Sequence, residues 1–225
     1  MQPQYNEGAG KRLRRQAKQH CAEALCRYGV ATGLVLPLLV YAVAHFDPLF
    51  LLVALLIGVL TAPVLIPEGN RLWKKSQRYH QGARGEEKIQ QVLEPLIQSG
   101  WIAEPNLRLR EVGDIDVWLR SPKGSNFLLE VKSYSKVVLL DGDVLKRQSY
   151  DGKLRNFEKD FLEQIAKQVT AIKKAKKLTK VTPVVVFSDA KVSFSNKKKI
   201  GDAYVMEEGN LVSGLQELDR TYQSR

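Results

Sequence analysis

The chain has 225 residues and a net charge of +11, from 35 Lys and Arg against 24 Asp and Glu. That length suffices for one ordinary domain plus an appendage, and the basic balance suits a polyanionic partner, nucleic acid or anionic lipid head groups. The two cysteines, Cys21 and Cys26, give no disulfide framework, and the scattered His20, His45 and His80 leave no Cys/His cluster with zinc-ligand spacing.

The charge is unevenly spread. Residues 1–28 carry Lys11, Arg12, Arg14, Arg15, Lys18 and Arg27 against Glu7 and Glu23. From Gly29 to Pro67 there is no Lys or Arg, and Asp47 is the only acid. Within that stretch residues 29–44 and 49–66 are apolar runs of roughly the length that crosses a hydrocarbon core, separated by the turn His45-Phe46-Asp47-Pro48. Lipid offers the backbone no hydrogen-bond partners, so both runs are expected as helices. Basic residues flank the pair on both outer sides, with Arg71, Lys74, Lys75 and Arg78 following the second run, whereas the turn has none. The positive-inside rule then puts both termini in the cytoplasm, with the chain anchored in the cell (inner) membrane. Two core helices of a soluble protein would look similar, but such helices rarely lack charge for so long. A signal peptide ending near Ala42-Val43-Ala44 is a further alternative, and it would leave the following domain on the same side. The basic N-terminal segment reads equally as a helix lying on anionic lipid or as a solvated arm.

Residues 67–80 are expected to connect this hairpin to a soluble domain over residues 81–225. From Gly85 the apolar residues Ile89, Val92, Leu93, Leu96 and Ile97 recur with a helical period, and Ser99-Gly100 ends that helix. Strands are expected over 106–110, 115–120 and 126–133, the last two joined by the turn Ser121-Pro122-Lys123-Gly124-Ser125. A second, more exposed hairpin is expected from 136–140 and 144–147, and a long helix over 157–178. The β-branched run Thr182–Phe187 reads as a buried strand. A short strand over 203–206 and a helix over 211–222 complete an α/β domain.

Three charged residues stand inside apolar strands. Asp116 lies between Ile115 and Val117, Glu130 between Leu129 and Val131, and Lys132 two residues further on. Residues two apart in a strand share a face, so Glu130 and Lys132 point the same way, and across the hairpin Asp116 can project beside Glu130. Paired carboxylates supply hard oxygens for Mg²⁺ or Mn²⁺, which activates water and stabilises charge on a phosphate. A neighbouring ammonium can orient that water or neutralise developing charge. Asp114 shares the face of Asp116 and is the alternative ligand. Glu86 flanks the apolar face of its helix and can reach the metal or its water, although on sequence alone compensation of the helix dipole is the better explanation of it. E-x-K alone is common and also reads as a same-face salt bridge. The runs Lys173-Lys174-Ala175-Lys176-Lys177 and Lys197-Lys198-Lys199 suit a phosphate backbone or simple solvation.

Gly82-Ala83-Arg84-Gly85-Glu86, Gly113-Asp114-Ile115-Asp116 and Leu129-Glu130-Val131-Lys132 resemble the signature motifs of the nuclease-related domain, NERD, of the PD-(D/E)XK superfamily. The resemblance spans about residues 80–190. It implies a PD-(D/E)XK core, a mixed sheet flanked by helices, and metal-dependent cleavage of DNA. Asp116 and Glu130 would be metal ligands and Lys132 the catalytic lysine. Glu86 matches the family's helical glutamate, and Gln164 looks like its helical glutamine, with Gln168 one turn later. The Lys/Arg-rich stretch over 141–159 is less typical of the family. The expectation is a membrane-anchored, Mg²⁺-dependent nuclease. A catalytically silent DNA-tethering module and a membrane scaffold for protein partners are the competing readings.

Overall fold

The computed structural model describes Gly8 and residues 10–109, 112–149, 151–194 and 199–222. The chain divides into two compact units. One is Arg12–Gln81; the other comprises Gly82–Arg225 and Met1–Lys11, so far as their residues are described.

Helix α1 (Lys11–His45) and helix α2 (Pro48–Gln98), the latter as far as Gln81, build the first unit as an antiparallel pair. The turn between them is set by Asp47, whose Oδ1 accepts the Leu49 N–H at 2.9 Å. Pro48 stands at the first helical position, where its missing N–H is no loss. Both helices are long and apolar enough to cross a membrane, with stretches of mean hydropathy 1.6 and 2.9. Only 6% of each stretch is buried, and Leu52, Leu56, Leu60 and Val64 are all exposed. Helices of a soluble core would hide such residues. Outside the apolar runs the two helices stay paired. Ser76 Oγ donates to the Ala17 carbonyl at 2.8 Å, and Tyr28 Oη donates to Asn70 Oδ1 at 2.7 Å. A Cβ on Gly69 would stand 2.6 Å from the Tyr28 ring, so glycine permits this approach. The basic stretch from Lys11 is thus helical and packed along α2, and residues 67–80 are helical throughout.

The second unit is a mixed α/β domain. Its main sheet combines β1 (Ile102–Leu109), β2 (Gly113–Arg120), β3 (Asn126–Lys132), β7 (Thr182–Phe187), β10 (Ala203–Glu207) and β9 (Lys199–Ile200), in the order β1-β2-β3-β7-β10-β9. The pairs β1–β2, β2–β3 and β10–β9 are antiparallel, whereas β3–β7 and β10–β7 are parallel. A smaller sheet, in the order β6-β5-β4-β8, takes three strands from the chain between β3 and β7 and its fourth from just after β7. Its strands are β4 (Val137–Asp141), β5 (Val144–Gln148), β6 (Leu154–Asn156) and β8 (Lys191–Val192). Helix α3 (Phe161–Lys176) then crosses one face of the main sheet. Helix α4 (Leu211–Tyr222) and the last turns of α2 cover the other.

Alternation sorts the core. Val117, Leu119, Phe127, Leu129, Val131, Val184 and Val186 pack against Ile89, Leu93 and Leu96 of α2 and Leu211 and Leu215 of α4. Trp118, Leu128, Val185 and Phe187 pack against Ile165 and Ile172 of α3. β3 is therefore central and covered on both faces. The helix ends follow local chemistry. The Trp101 N–H bonds the Leu96 carbonyl and the Gly100 N–H that of Ile97, both at 3.0 Å, closing α2 with Gly100 at φ 91°. α3 starts at Phe161 rather than at residue 157, because Asp160 caps it by accepting from the Leu162 and Glu163 N–H groups. β1 begins at Ile102, earlier than expected; as an edge strand it tolerates Pro105. Arg110, Lys197 and Lys198 lie outside the described residues.

Candidate active site

The site forms where β2 and β3 part. Their last paired residues are Val117 and Leu129, so the ladder stops one step before Asp116 would face Glu130. Asp116 bridges the opening with its side chain, Oδ2 accepting the Val131 N–H at 2.7 Å. On the other side of β2 the residue in register with Asp116 is Asn106, in the left-handed region at φ 52°. A non-glycine residue there distorts an otherwise regular strand beside the site.

Glu130 is only 2% exposed, beneath α3. Its Oε1 accepts from the Lys132 ammonium and from Gln164 Nε2 at 2.7 Å. Its Oε2 accepts from Gln168 Nε2 at 3.0 Å. The same Gln168 Nε2 donates to the Asp114 carbonyl at 3.1 Å, tying the helix to both strands. Among the described residues Gln168 Oε1 has no hydrogen-bond partner, although the residue is buried. Exchanging the amide's ends would not help, since both of its N–H groups are already used. The half-buried Lys132 ammonium also lies 4.5 Å from the centre of the Phe161 ring.

Asp116, Glu130, Glu86 and Lys132 act on one another here. The Asp116 carboxyl is held well above the usual carboxylate range by its burial, then by the Glu130 and Glu86 charges; Lys132 and the Val131 N–H pull it back only partly. Glu86 therefore acts electrostatically on the same site, and its Oε2 also accepts the Gly10 N–H at 2.9 Å. Gly85 explains how that turn of α2 comes so close. A Cβ there would stand 2.9 Å from both Ser133 Cβ and Ser188 Oγ, at the ends of β3 and β7. Asp114, the alternative ligand, turns its carboxylate toward Arg108, 3.9 Å away across β1.

Two features escape sequence reasoning. Phe161 shares the Lys132 ammonium with Glu130, yet reads only as one more apolar residue of α3. Lys88 donates to the Ser188 carbonyl at 3.0 Å and reaches Asp189 at 2.9 Å and Glu208 at 2.6 Å. It pins the turn after Glu86 to the ends of the sheet. Burial opposes ionisation of Asp189, but the Lys88 and Ser188 hydrogen bonds outweigh it and hold that carboxyl below its ordinary value. Because these partners lie about a hundred residues away in sequence, no local signal announces Lys88.

Asp116 and Glu130 present hard oxygens in a site with more acids than ammonium groups, which suits a divalent cation. Among the described residues, no three His, Cys, Asp or Glu side chains are grouped so as to hold a metal by themselves. A Mg²⁺ at Asp116 and Glu130 would take water and substrate oxygens for its remaining ligands, as Mg²⁺ commonly does. Residues 81–188 match the family model described as the nuclease-related domain. This part of the chain is a nuclease-related domain. No curated protein and no solved structure matches the chain. The matched part of the nuclease-related domain contains Glu86, Asp116, Glu130, Lys132 and Gln164, along with both crossings from β3 to α3 and on to β7.

Proposed function

We propose that the chain is a membrane-anchored, Mg²⁺- or Mn²⁺-dependent nuclease that hydrolyses DNA phosphodiester bonds. The observation that carries this reading is Glu130: a buried carboxylate gripped by Lys132, Gln164 and Gln168, with Asp116 across the parted strands. A structural ion pair has no need of a third and a fourth charge, and stability alone would favour apolar residues at such a place. A divalent cation held by Asp116 and Glu130 would supply an activated water and offset charge on the scissile phosphate. Gln164 and Gln168 fix the Glu130 carboxylate in one orientation. Lys132, steadied by Phe161, offers an ammonium to the attacking water or to the phosphate oxygens. Glu86 stands ready to accept a proton or order water at the same place.

The anchoring reading rests on the exposed apolar surfaces of α1 and α2. With basic residues on both outer flanks, both termini and the nuclease-related domain fall in the cytoplasm. One observation favours a second reading, a silent DNA tether. Both Glu130 oxygens already have protein donors, so ligation would have to displace or share them. Full-length protein in detergent, incubated with plasmid, linear and single-stranded DNA, separates the two. Cleavage with Mg²⁺ or Mn²⁺ and none with chelator supports the nuclease. Metal-independent binding without cleavage of any substrate supports the tether.

A further inference from the structure

The strands β4, β5 and β6, between Lys132 and Gln164 in the chain, hold two arginines side by side. In the β5–β6 ladder Arg147 and Arg155 are directly opposed. Opposed residues on neighbouring strands share a face with Cβ atoms about 5 Å apart, and like charges so placed repel. Arg155 is partly offset by Asp151 at 3.0 Å, in an exposed pair. Arg147 is half-buried and, among the described residues, its side chain makes no ion pair or hydrogen bond. Its partner across β4 is Val138, fully buried in the core, so the guanidinium rises from the edge of a packed layer rather than from a free loop. Lys146, the other cation of β5, is already taken by Asp141.

A chain of contacts joins this pair to the candidate active site. The Lys132 ammonium lies over Phe161 at 4.5 Å. The Phe161 and Phe157 rings are 4.8 Å apart, and Phe157 meets Tyr134 edge-on at 5.7 Å. The Tyr134 hydroxyl donates to the carbonyl of Gln148, next to Arg147, at 2.6 Å. Two guanidiniums held side by side by a strand ladder offer a phosphodiester backbone two positive charges with bidentate donors. We infer that β5 and β6 form a phosphate-gripping wing, in which Arg147 and Arg155 hold the nucleic-acid backbone next to the site of cleavage. The inference takes its ligand from the nuclease reading, but its test requires no cleavage.

The full-length protein in detergent is titrated with a short fluorescent DNA duplex in chelator, over a range of salt concentrations. Each arginine that contacts a phosphate steepens the dependence of log affinity on log salt by about 0.9. Arg147→Gln with Arg155→Gln should flatten that slope by about two contacts' worth and weaken binding at 0.1 M salt by roughly eightfold per arginine. Arg147→Lys with Arg155→Lys keeps both charges and should retain the slope. The reference pair Lys74→Gln with Arg78→Gln removes the same charge from exposed positions of α2 and should change the slope less. The inference is overturned if the double glutamine variant, melting like the parent, keeps the parental slope. It is equally overturned if the α2 pair flattens the slope as much, or if the arginine pair matters for anionic vesicles and not for DNA. A parent that binds DNA through these arginines without ever cutting it leaves the wing standing and removes only the nuclease reading.

Discussion

Replacing Asp116 by Asn tests the electrostatics of the site without relying on turnover. The amide is close in size to the carboxyl and keeps an oxygen for the Val131 N–H, now at 2.7 Å. It removes a charge that burial, Glu130 and Glu86 all oppose. The sign follows from linkage. The folded-state carboxyl ionises at higher pH than the unfolded one, so its contribution to stability is fully present below the unfolded pKa and is lost as pH rises through the folded one. In chelator, therefore, the parent loses stability relative to Asp116→Asn as pH rises from acid to neutral and beyond. Mg²⁺ should reverse the order. At a hundred times its dissociation constant a ligand of the native state adds about 2.7 kcal/mol, or roughly 5–10 °C in midpoint for a domain of this size. The parent should gain that shift and the variant little of it. Thermal unfolding of the full-length protein, followed through Trp101 and Trp118 fluorescence, reads both effects. If Asp116→Asn is the less stable protein at pH 8 in chelator, the like-charge account of the site is wrong.

Gly85→Ala should lower the melting midpoint, because the new methyl meets Ser133 and Ser188 at 2.9 Å. Overpacking of this kind costs roughly 1–3 kcal/mol, against about 0.5–1 kcal/mol gained in helix propensity; an unchanged or higher midpoint would show that α2 has room to shift. Gln168→Leu leaves Glu130 Oε2 and the Asp114 carbonyl without their shared donor, and an unpaired buried acceptor costs about 1–3 kcal/mol. Chemical denaturation measures it, and a loss well below that range would mean that water replaces the amide. A phosphatase that is active only outside the cytoplasm should give no signal when fused after Arg225 and a strong one when inserted at Phe46; the opposite pattern overturns the topology.

Elements with strong local patterns were legible. The β-branched run Thr182–Phe187 and the amphipathic Leu211–Tyr222 have the expected bounds, since period and composition agree there. The strands at 154–156, 191–192 and 199–200 were not foreseen, because two or three residues carry no period to read. Residues 157–160 read as helix from their apolar spacing, but the Asp160 cap decides otherwise. At the site, alternation correctly placed Glu130 and Lys132 on one face. It said nothing of that face being roofed by α3, which buries Glu130 and leaves Lys132 half-buried. The roles of Gln164 and Gln168 came into view only through family resemblance, and those of Phe161 and Lys88 not at all, since each acts on partners distant in sequence.

Cleavage of supercoiled plasmid by the full-length protein and by its Lys132→Ala variant, side by side in Mg²⁺ and in chelator, bears most directly on the central claim. Among the described residues Lys132 is the one ammonium paired with Glu130, so its loss should lower the rate by about two to four orders of magnitude. Gln164 and Gln168 remain on Glu130 to hold the fold, and DNA binding, spread over many basic residues, should persist. Melting curves and salt-matched binding confirm that the variant is folded and loaded. A parent that cuts in Mg²⁺ and a folded Lys132→Ala that binds without cutting is the predicted result; a Lys132→Ala variant that cuts as fast as the parent contradicts it.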